Sequence, residues 1–336
     1  MKEKKHTFLI KSCNLNAEVD IENYLLSFLT PTTPGTNYWD SPTEAKLVGL
    51  SEREISRIVS QVDEILKILK DNKNLLNYNN ELNFLDVGTG NGMVPRLLST
   101  VNHSINATGI DPYLHGGHKT SWQTSDSKEN LRLCLELWQK LYDCKISTSS
   151  NETKYHEHKR FLDEHIKKSN IKYNIVYCKA IEHVPNWSEF ADQLSSVLEI
   201  GGVLIIKHRS FFSYLGPHRY STTGIPWGHC LLNEFEYKKY AETFHPERSN
   251  QMIDFYFNGL SNPRMTISQL IRKLNSNNLD LVSLNLTKPK YADYQFSLIN
   301  KMPSYIDLIL KKNPSLSYEE MTSGLVNIVL QKKSTK

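Results

Sequence analysis

The run Asp86-Val87-Gly88-Thr89-Gly90-Asn91-Gly92 sets glycines directly behind an acid, and Asp111 follows nineteen residues after Gly92. Glycines let a backbone approach a ligand closely. Where such a run opens a helix, the free N–H groups of the first turn face a polar or anionic group. A carboxylate at the end of the next strand can accept hydrogen bonds from both hydroxyls of a ribose. The two features together read as a corner that binds a nucleoside. A glycine loop alone is a weak signal; strand, loop, helix and distal acid in that order are a much stronger one.

Two details separate the nucleoside cofactors. A dinucleotide fingerprint, G-x-G-x-x-G, would place its third glycine at position 93, where this chain has Met93 and carries Gly92 instead. Asp86 stands immediately before the loop, where a carboxylate can bind a cationic ammonium. S-adenosylmethionine has that ammonium and lacks a pyrophosphate, so the pattern suits it better than NAD.

The elements needed to position these groups follow from periodicity. Leu82 to Val87 reads as a short buried strand. Val94, Leu97, Leu98 and Val101 then keep helical spacing, with Pro95 tolerated in the first turn. Upstream, Ile55, Ile58, Val59, Val62, Ile65, Leu66 and Leu69 mark one face of a helix that Ser51 and Glu54 cap reciprocally. Asn106 to Ile110 is the second strand. Between Asp111 and Lys172 the pattern predicts helices over about 128–142 and 154–166 and a strand with no definite position. Ile175-Val176-Tyr177 is a strand, Phe190, Leu194, Val197 and Leu198 form a helical face, and Gly201-Gly202 turns into Val203-Leu204-Ile205-Ile206. After an aromatic-rich stretch, Thr266 and Gln269 cap a helix bearing Ile267, Leu270, Ile271 and Leu274. Strands at Leu279–Leu284 and Leu325–Leu330 close the chain. Strands and helices alternating in this way imply a mainly parallel sheet covered on both faces.

The order of these motifs resembles the class I S-adenosylmethionine-dependent methyltransferases, especially the broad small-molecule group called type 11. Leu85 to Gly92 is similar to the first motif of that family and Gly109-Ile110-Asp111 to its ribose-binding acid. Tyr173 to Val184 is similar to its fourth-strand motif, and Val197 to Leu204 to the segment entering its fifth strand. The likeness covers roughly residues 51–333. It implies a Rossmann-like α/β fold: a doubly wound, seven-stranded, mostly parallel sheet with helices on both faces and an antiparallel final hairpin. The expected division is an N-terminal arm (1–50), a cofactor-binding half (51–208), a substrate cap (209–265), and a C-terminal helix and strand hairpin (266–336). The resemblance assigns Asp86, Gly88, Gly90 and Gly92 to the methionine end of the cofactor and Asp111 to the ribose. Thr89, Asn91, Pro112 and Cys178 are further cofactor-binding positions, and Asp163, by its distance before the fourth strand, is the candidate adenine contact. Asn174 stands where the family usually has Asp. Lys179 stands where some quinone-pathway relatives carry a metal-binding acid, so no metal site is carried over.

Methyl transfer from a sulfonium needs the acceptor placed in line at about 3–3.5 Å and water excluded. A base is needed only where the acceptor must lose a proton. His183, beside Glu182 just past the fourth strand, either orients or deprotonates the acceptor or merely anchors a loop. The segment from His208 to Arg219, with Ile225 to His229, either builds an acceptor pocket or is a packed lid. Gly216-Pro217 fixes a turn that displays His218, the second candidate base. His208, His218 and His229 lack the tight pairing or acid cluster of a metal site. Tyr38 and Trp39 read as an anchor for the arm or as a lid on the cofactor, and Lys2 to Lys5 as a solvated end.

Composition bounds the rest. The five cysteines among 336 residues are scattered without a C-x-x-C pair, which fits reduced thiols in the cytoplasm. No apolar run approaches the roughly 20 residues of a membrane span. Net charge is +4, with Lys and Arg interspersed among Asp and Glu, so a nucleic-acid partner is disfavoured. Nothing sets an oligomeric state. The expected reaction is methyl transfer from S-adenosylmethionine to an O, N or C atom of a small molecule. The alternatives are an RNA or protein methyltransferase, or a binding-only relative acting as a partner subunit.

Overall fold

The computed structural model describes residues 51–71, 81–113, 127–144, 154–214, 216–218, 223, 227–246, 248–261, 263–289, 292–301 and 303–334. The N-terminal arm, with Tyr38, Trp39 and Lys2 to Lys5, lies outside them, as do Arg219 and Ile225-Pro226. A seven-stranded sheet runs in the order β3-β2-β1-β4-β5-β7-β6. Its strands are β1 (Leu82–Val87), β2 (Ile105–Ile110), β3 (Tyr155–His158), β4 (Tyr173–Cys178), β5 (Leu198–His208), β6 (Leu279–Leu286) and β7 (Val326–Lys332). β1 to β5 pair in parallel, and β7 is antiparallel to both β5 and β6. The reversal of strand order falls between β1 and β4, the crevice at which open α/β sheets take their ligands.

Both sheet faces are covered, as the near-continuous apolar strands require. Side-chain alternation sorts neighbouring residues to opposite faces. Phe84, Ile175, Tyr177, Val203 and Ile205 pack under α1 (Glu52–Asp71), α2 (Met93–Val101) and α3 (Ser127–Tyr142). Leu85, Val176, Cys178, Leu204 and Ile206 pack on the other side under α4 (Leu162–Lys168), α5 (Trp187–Val197) and α9 (Ile267–Ser276). Helix α1 buries Ile55, Ile58, Val59, Val62, Ile65 and Leu69 along one face. Each such side chain contributes roughly 1.5–3 kcal/mol. Its N-terminus is closed by Ser51 and Glu54, each backbone N–H donating to the other's side chain. The capping box of Thr266 and Gln269 opens α9 in the same way.

One expected helix is a strand. The helix anticipated over about 154–166 is divided into β3 and α4. β3 is the sheet's edge and pairs only with β2, so His156 and Glu157 remain exposed. A strand with so little to bury carries no apolar alternation, and its Tyr-His-Glu-His sequence shows no period of two.

A third apolar cluster forms the cap. It draws on Phe211, Tyr214, Trp227, Tyr237, Tyr240 and Tyr256 from the segment after β5. It also takes Ile299, Ile306, Ile309, Leu316 and Met321 from the connection between β6 and β7. The first segment carries α6 (Gly228–Leu231), α7 (Glu234–Phe244) and α8 (Ser249–Asn258); the second carries α10 (Ala292–Lys301), α11 (Pro303–Lys312) and α12 (Tyr318–Met321). The Trp227 indole N–H donates to the Met321 carbonyl at 3.1 Å, pinning the two segments together. The C-terminal hairpin therefore encloses helices that share the cap's core.

Asn174 sits near the start of β4, at the opposite end of the sheet from the glycine run. Its Oδ1 accepts from the Asn83 N–H (2.8 Å) and its Nδ2 donates to Glu199 (2.8 Å). An amide satisfies both neighbours; a carboxylate would accept from Asn83 but face Glu199 as a like charge. Asn174→Asp is expected to lower the unfolding free energy by about 1–2 kcal/mol in urea titration at neutral pH. An unshifted midpoint would refute that account of the asparagine.

Candidate active site

Strand register brings the site together. Asp86 lies opposite Gly109 and Val87 opposite Ile110 in the β1–β2 pair, while Val87 lies opposite Cys178 in the β1–β4 pair. The segments leaving β1, β2 and β4 therefore emerge level on one edge.

The glycine run is a hairpin with Gly88, Gly90 and Gly92 at φ of 78°, 62° and 70°. These are left-handed values that favour glycine. Two of the glycines are also demanded by the protein's own packing. A Cβ on Gly88 would stand 2.4 Å from the Ala180 Cβ, and one on Gly92 would stand 2.2 Å from the Tyr155 hydroxyl. Asn91 Oδ1 accepts from the Met93 N–H (3.1 Å), helping to start α2.

Asp111 turns onto the hairpin: Oδ2 accepts from the Gly90 N–H at 2.9 Å and Oδ1 from the Tyr113 N–H at 2.7 Å. Pro112 follows in the turn leaving β2. Beyond it, the exposed rings of Tyr113 and Phe161 meet edge to face at 6.5 Å. They offer an apolar shelf at the ends of β2 and β3 that sequence reasoning missed. Asp163, in the first turn of α4, pairs instead with Lys167 at 3.2 Å.

Asp86 is buried behind the hairpin and accepts from the Thr89 hydroxyl at 2.8 Å. Burial raises its carboxyl to about 7; the Thr89 bond and Lys179 oppose that rise and Asp111 adds to it. Lys179, just past β4, shows the converse. Burial chiefly, with Arg57 and Lys207, brings its amine down to about 8, against the pull of Glu182 and Asp86. Its Nζ donates to Gln61 Oε1 (3.3 Å), which also accepts from the Tyr177 hydroxyl (3.2 Å). Cys178 is buried and its thiol is pushed up to about 12, so it is inert as a nucleophile.

The other half of the edge belongs to β4, β5 and the cap. A one-turn 3₁₀ helix, Ile181–His183, follows β4. Its Ile181 and Glu182 carbonyls accept from the Ser261 hydroxyl (2.7 Å) and N–H (2.8 Å). His183 pairs through Nδ1 with the Gly259 carbonyl at 2.9 Å. The structure brings His183 and His218 together: their rings lie 5.8 Å apart, and Phe255 lies 5.9 Å and 4.8 Å from them respectively. His183 thus anchors the cap while its ring faces that of His218.

His208, at the end of β5, is buried, with Nδ1 3.4 Å from Glu182 Oε2. Burial opposes ionisation of Glu182, yet the His208 bond and the imidazoles of His208 and His183 leave it below the ordinary carboxylate value. Glu182 and His208, with Phe211, Leu260, Arg264 and Met265, line a cavity of about 10 Å³ beneath the cap. That is the room of a single water. Arg264 lies between the Phe211 and Tyr256 rings, 4.5 Å and 4.7 Å from their centroids. His229 is part of the packing instead: Nε2 meets the Phe211 carbonyl at 2.6 Å, and burial pulls its imidazole down to about 4. Among the described residues no group of three or more His, Cys, Asp or Glu could hold a metal ion. No described helix is long and apolar enough to cross a membrane.

A methyltransferase-domain family model matches residues 51–283. No curated protein matches in sequence. Among solved structures, the chain is similar to PKMT2 from Rickettsia typhi in complex with AdoHcy, at 12% identity and a TM-score of 0.40 over 76% of this chain. It spans only about half of that protein, 49%. It is also similar to magnesium protoporphyrin IX methyltransferase from Synechocystis PCC 6803 with bound SAH (12% identity, TM-score 0.39, covering 91% of this chain and 97% of that one). A third is the cyclopropane synthase MmaA2 from Mycobacterium tuberculosis (16%, 0.40, 86% and 87%). With its family model matched across all the strands from β1 to β5, the chain belongs to the methyltransferase-domain family.

Proposed function

We propose that this enzyme methylates a small-molecule acceptor held beneath its cap, with the donor on the hairpin formed by β1 and α2. The observation that carries the donor's placement is the Asp111 carboxylate, which the Gly90 N–H turns over the glycine hairpin. In that position it accepts the ribose hydroxyls, with Pro112 shaping the turn, while the shelf of Tyr113 and Phe161 receives the adenine. Asp163 points into its own ion pair, so the adenine role moves from it to that shelf. Gly88, Thr89, Gly90, Asn91 and Gly92 present their backbone to the methionine end, and Asp86 receives the ammonium. Cys178 contributes packing at the floor. When bound, S-adenosylmethionine supplies an electrophilic methyl on a sulfonium, with S-adenosylhomocysteine as the leaving group. The chain's task is then alignment and exclusion of water. The aromatic cap closes the acceptor side, and His183 and His218 face the space from which an acceptor enters. Water-soluble work in the cytoplasm fits the free, buried thiols of Cys134, Cys178 and Cys230.

S-adenosylhomocysteine titrated calorimetrically against Asp111→Ala should bind at least about 10-fold more weakly than against wild type. Equal affinity removes the ribose assignment. Labelled methyl donor incubated with fractionated cell extract should label only small metabolites; label confined to RNA or protein overturns the acceptor class.

A pH dependence follows from Asp86. In the free protein its carboxyl titrates at about 7. An ammonium beside it stabilises the charged form, so binding expels a proton wherever the free carboxyl is protonated. Affinity for S-adenosylhomocysteine should therefore climb as pH rises toward 7 and level off above it. Asp86→Asn should abolish the climb. A profile already flat below neutrality in the wild type would show that Asp86 does not face the ammonium.

A further inference from the structure

We infer that Tyr155 is a positioning residue for the donor site, its hydroxyl serving as the stop that holds the glycine hairpin in its receiving shape. The inference rests on the hairpin being the donor site. It assigns to β3 a role that neither the motif nor the family match records.

The geometry is specific. The hydroxyl stands 2.2 Å from where a Cβ on Gly92 would lie and 3.0 Å from where one on Gly109 would lie. It therefore fills, from inside the protein, the space that side chains at these two positions would need. Gly109 is the penultimate residue of β2, followed by Ile110 and Asp111, and Gly92 is the last residue before α2. One oxygen thus touches the backbone of both arms of the donor site.

The oxygen is itself held. It donates to Glu157 Oε2 at 3.1 Å, and the same carboxylate oxygen takes Arg96 Nη2 at 3.3 Å. The Arg96 guanidinium lies over the Tyr155 ring, 4.8 Å from its centroid. Arg96 belongs to the first turns of α2, and its backbone N–H donates to the Gly92 carbonyl at 3.2 Å. A closed path results: hairpin to α2, Arg96 to Glu157, Glu157 to Tyr155, and Tyr155 back to the hairpin. Burial, followed by the nearby Glu157 charge, raises the phenol above its ordinary value, so the hydroxyl keeps its proton and remains a donor. A phenylalanine would leave the ring under Arg96 but release both the stop and the bond to Glu157.

The cycle of Tyr155→Phe, Gly92→Ala and the double variant tests this, with S-adenosylhomocysteine affinity read by calorimetry and unfolding temperature measured alongside. Tyr155→Phe should weaken binding about 3–10-fold, the worth of one hydrogen bond, with little change in unfolding temperature. Gly92→Ala should weaken it further, through its left-handed backbone and the collision with the hydroxyl. In the phenylalanine background the 2.2 Å approach to the hydroxyl is removed and only the 3.2 Å approach to the ring carbon remains, so the alanine should cost less there than in the wild type. Glu157→Ala should weaken binding as Tyr155→Phe does, and Glu157→Gln, which still accepts from the hydroxyl, should restore it. Wild-type affinity in Tyr155→Phe, or factors that simply multiply in the double variant, would overturn the inference. Should Tyr155→Phe fail to fold, the Glu157→Ala and Glu157→Gln pair decides alone: equal affinities overturn it. Failure of wild type itself to bind would instead remove the donor-site reading.

Discussion

The hydrogen bond from the Gly90 N–H to the Asp111 carboxylate ties the end of β1 to the end of β2. Without a partner, a backbone N–H at the tip of a hairpin and a carboxylate at a strand end would each be left to water. Joined, they fix the distance between the groups assigned to the methionine end and to the ribose. Parallel register supplies the rest. Because β1, β2 and β4 end level, one bond across their tips places the hairpin, Asp111 and Lys179 on a common rim. The topology's reversal between β1 and β4 then opens the crevice beside that rim.

Charge along the rim is arranged in opposition. Asp86 and Lys179 are both pushed by burial toward their neutral forms, yet each is counted among the other's stabilising charges. Glu182, equally enclosed, remains ionised more readily than an ordinary carboxylate because imidazoles face it. Asp86 is therefore stabilised in its charged form by any added positive charge, while Glu182 already has the His208 and His183 imidazoles facing it.

What the sequence made legible follows from burial. β1, β4 and β5 lie inside the sheet, and their apolar runs betray them; α1 and α9 announce themselves through caps and a single apolar face. The place of Asp111 at the end of β2 was legible because its distance from Gly92 is set by one helix and one strand. β3 was hidden because an edge strand buries little, and Tyr155, His156, Glu157 and His158 show no alternation. With β3 hidden, the meeting of the Tyr113 and Phe161 rings at its end was hidden too. The glycines have a second reason that spacing does not show: Gly88 and Gly92 are small partly because Ala180 and Tyr155 press on them. The cap's second half was invisible too, since residues 292–321 join it only through the closing hairpin's long connection.

That connection bears on how the cap is held. Glu320 in α12 accepts from the Ser210 hydroxyl and from the Ile267 N–H, so a single buried carboxylate joins the exit from β5, the start of α9 and the far cap segment. Trp227 adds a second tie through the Met321 carbonyl. The cap is thus fastened at its base, while Gly259 and Ser261 fasten its front to the turn after β4. A cap held at both margins has little freedom to lift as a rigid lid.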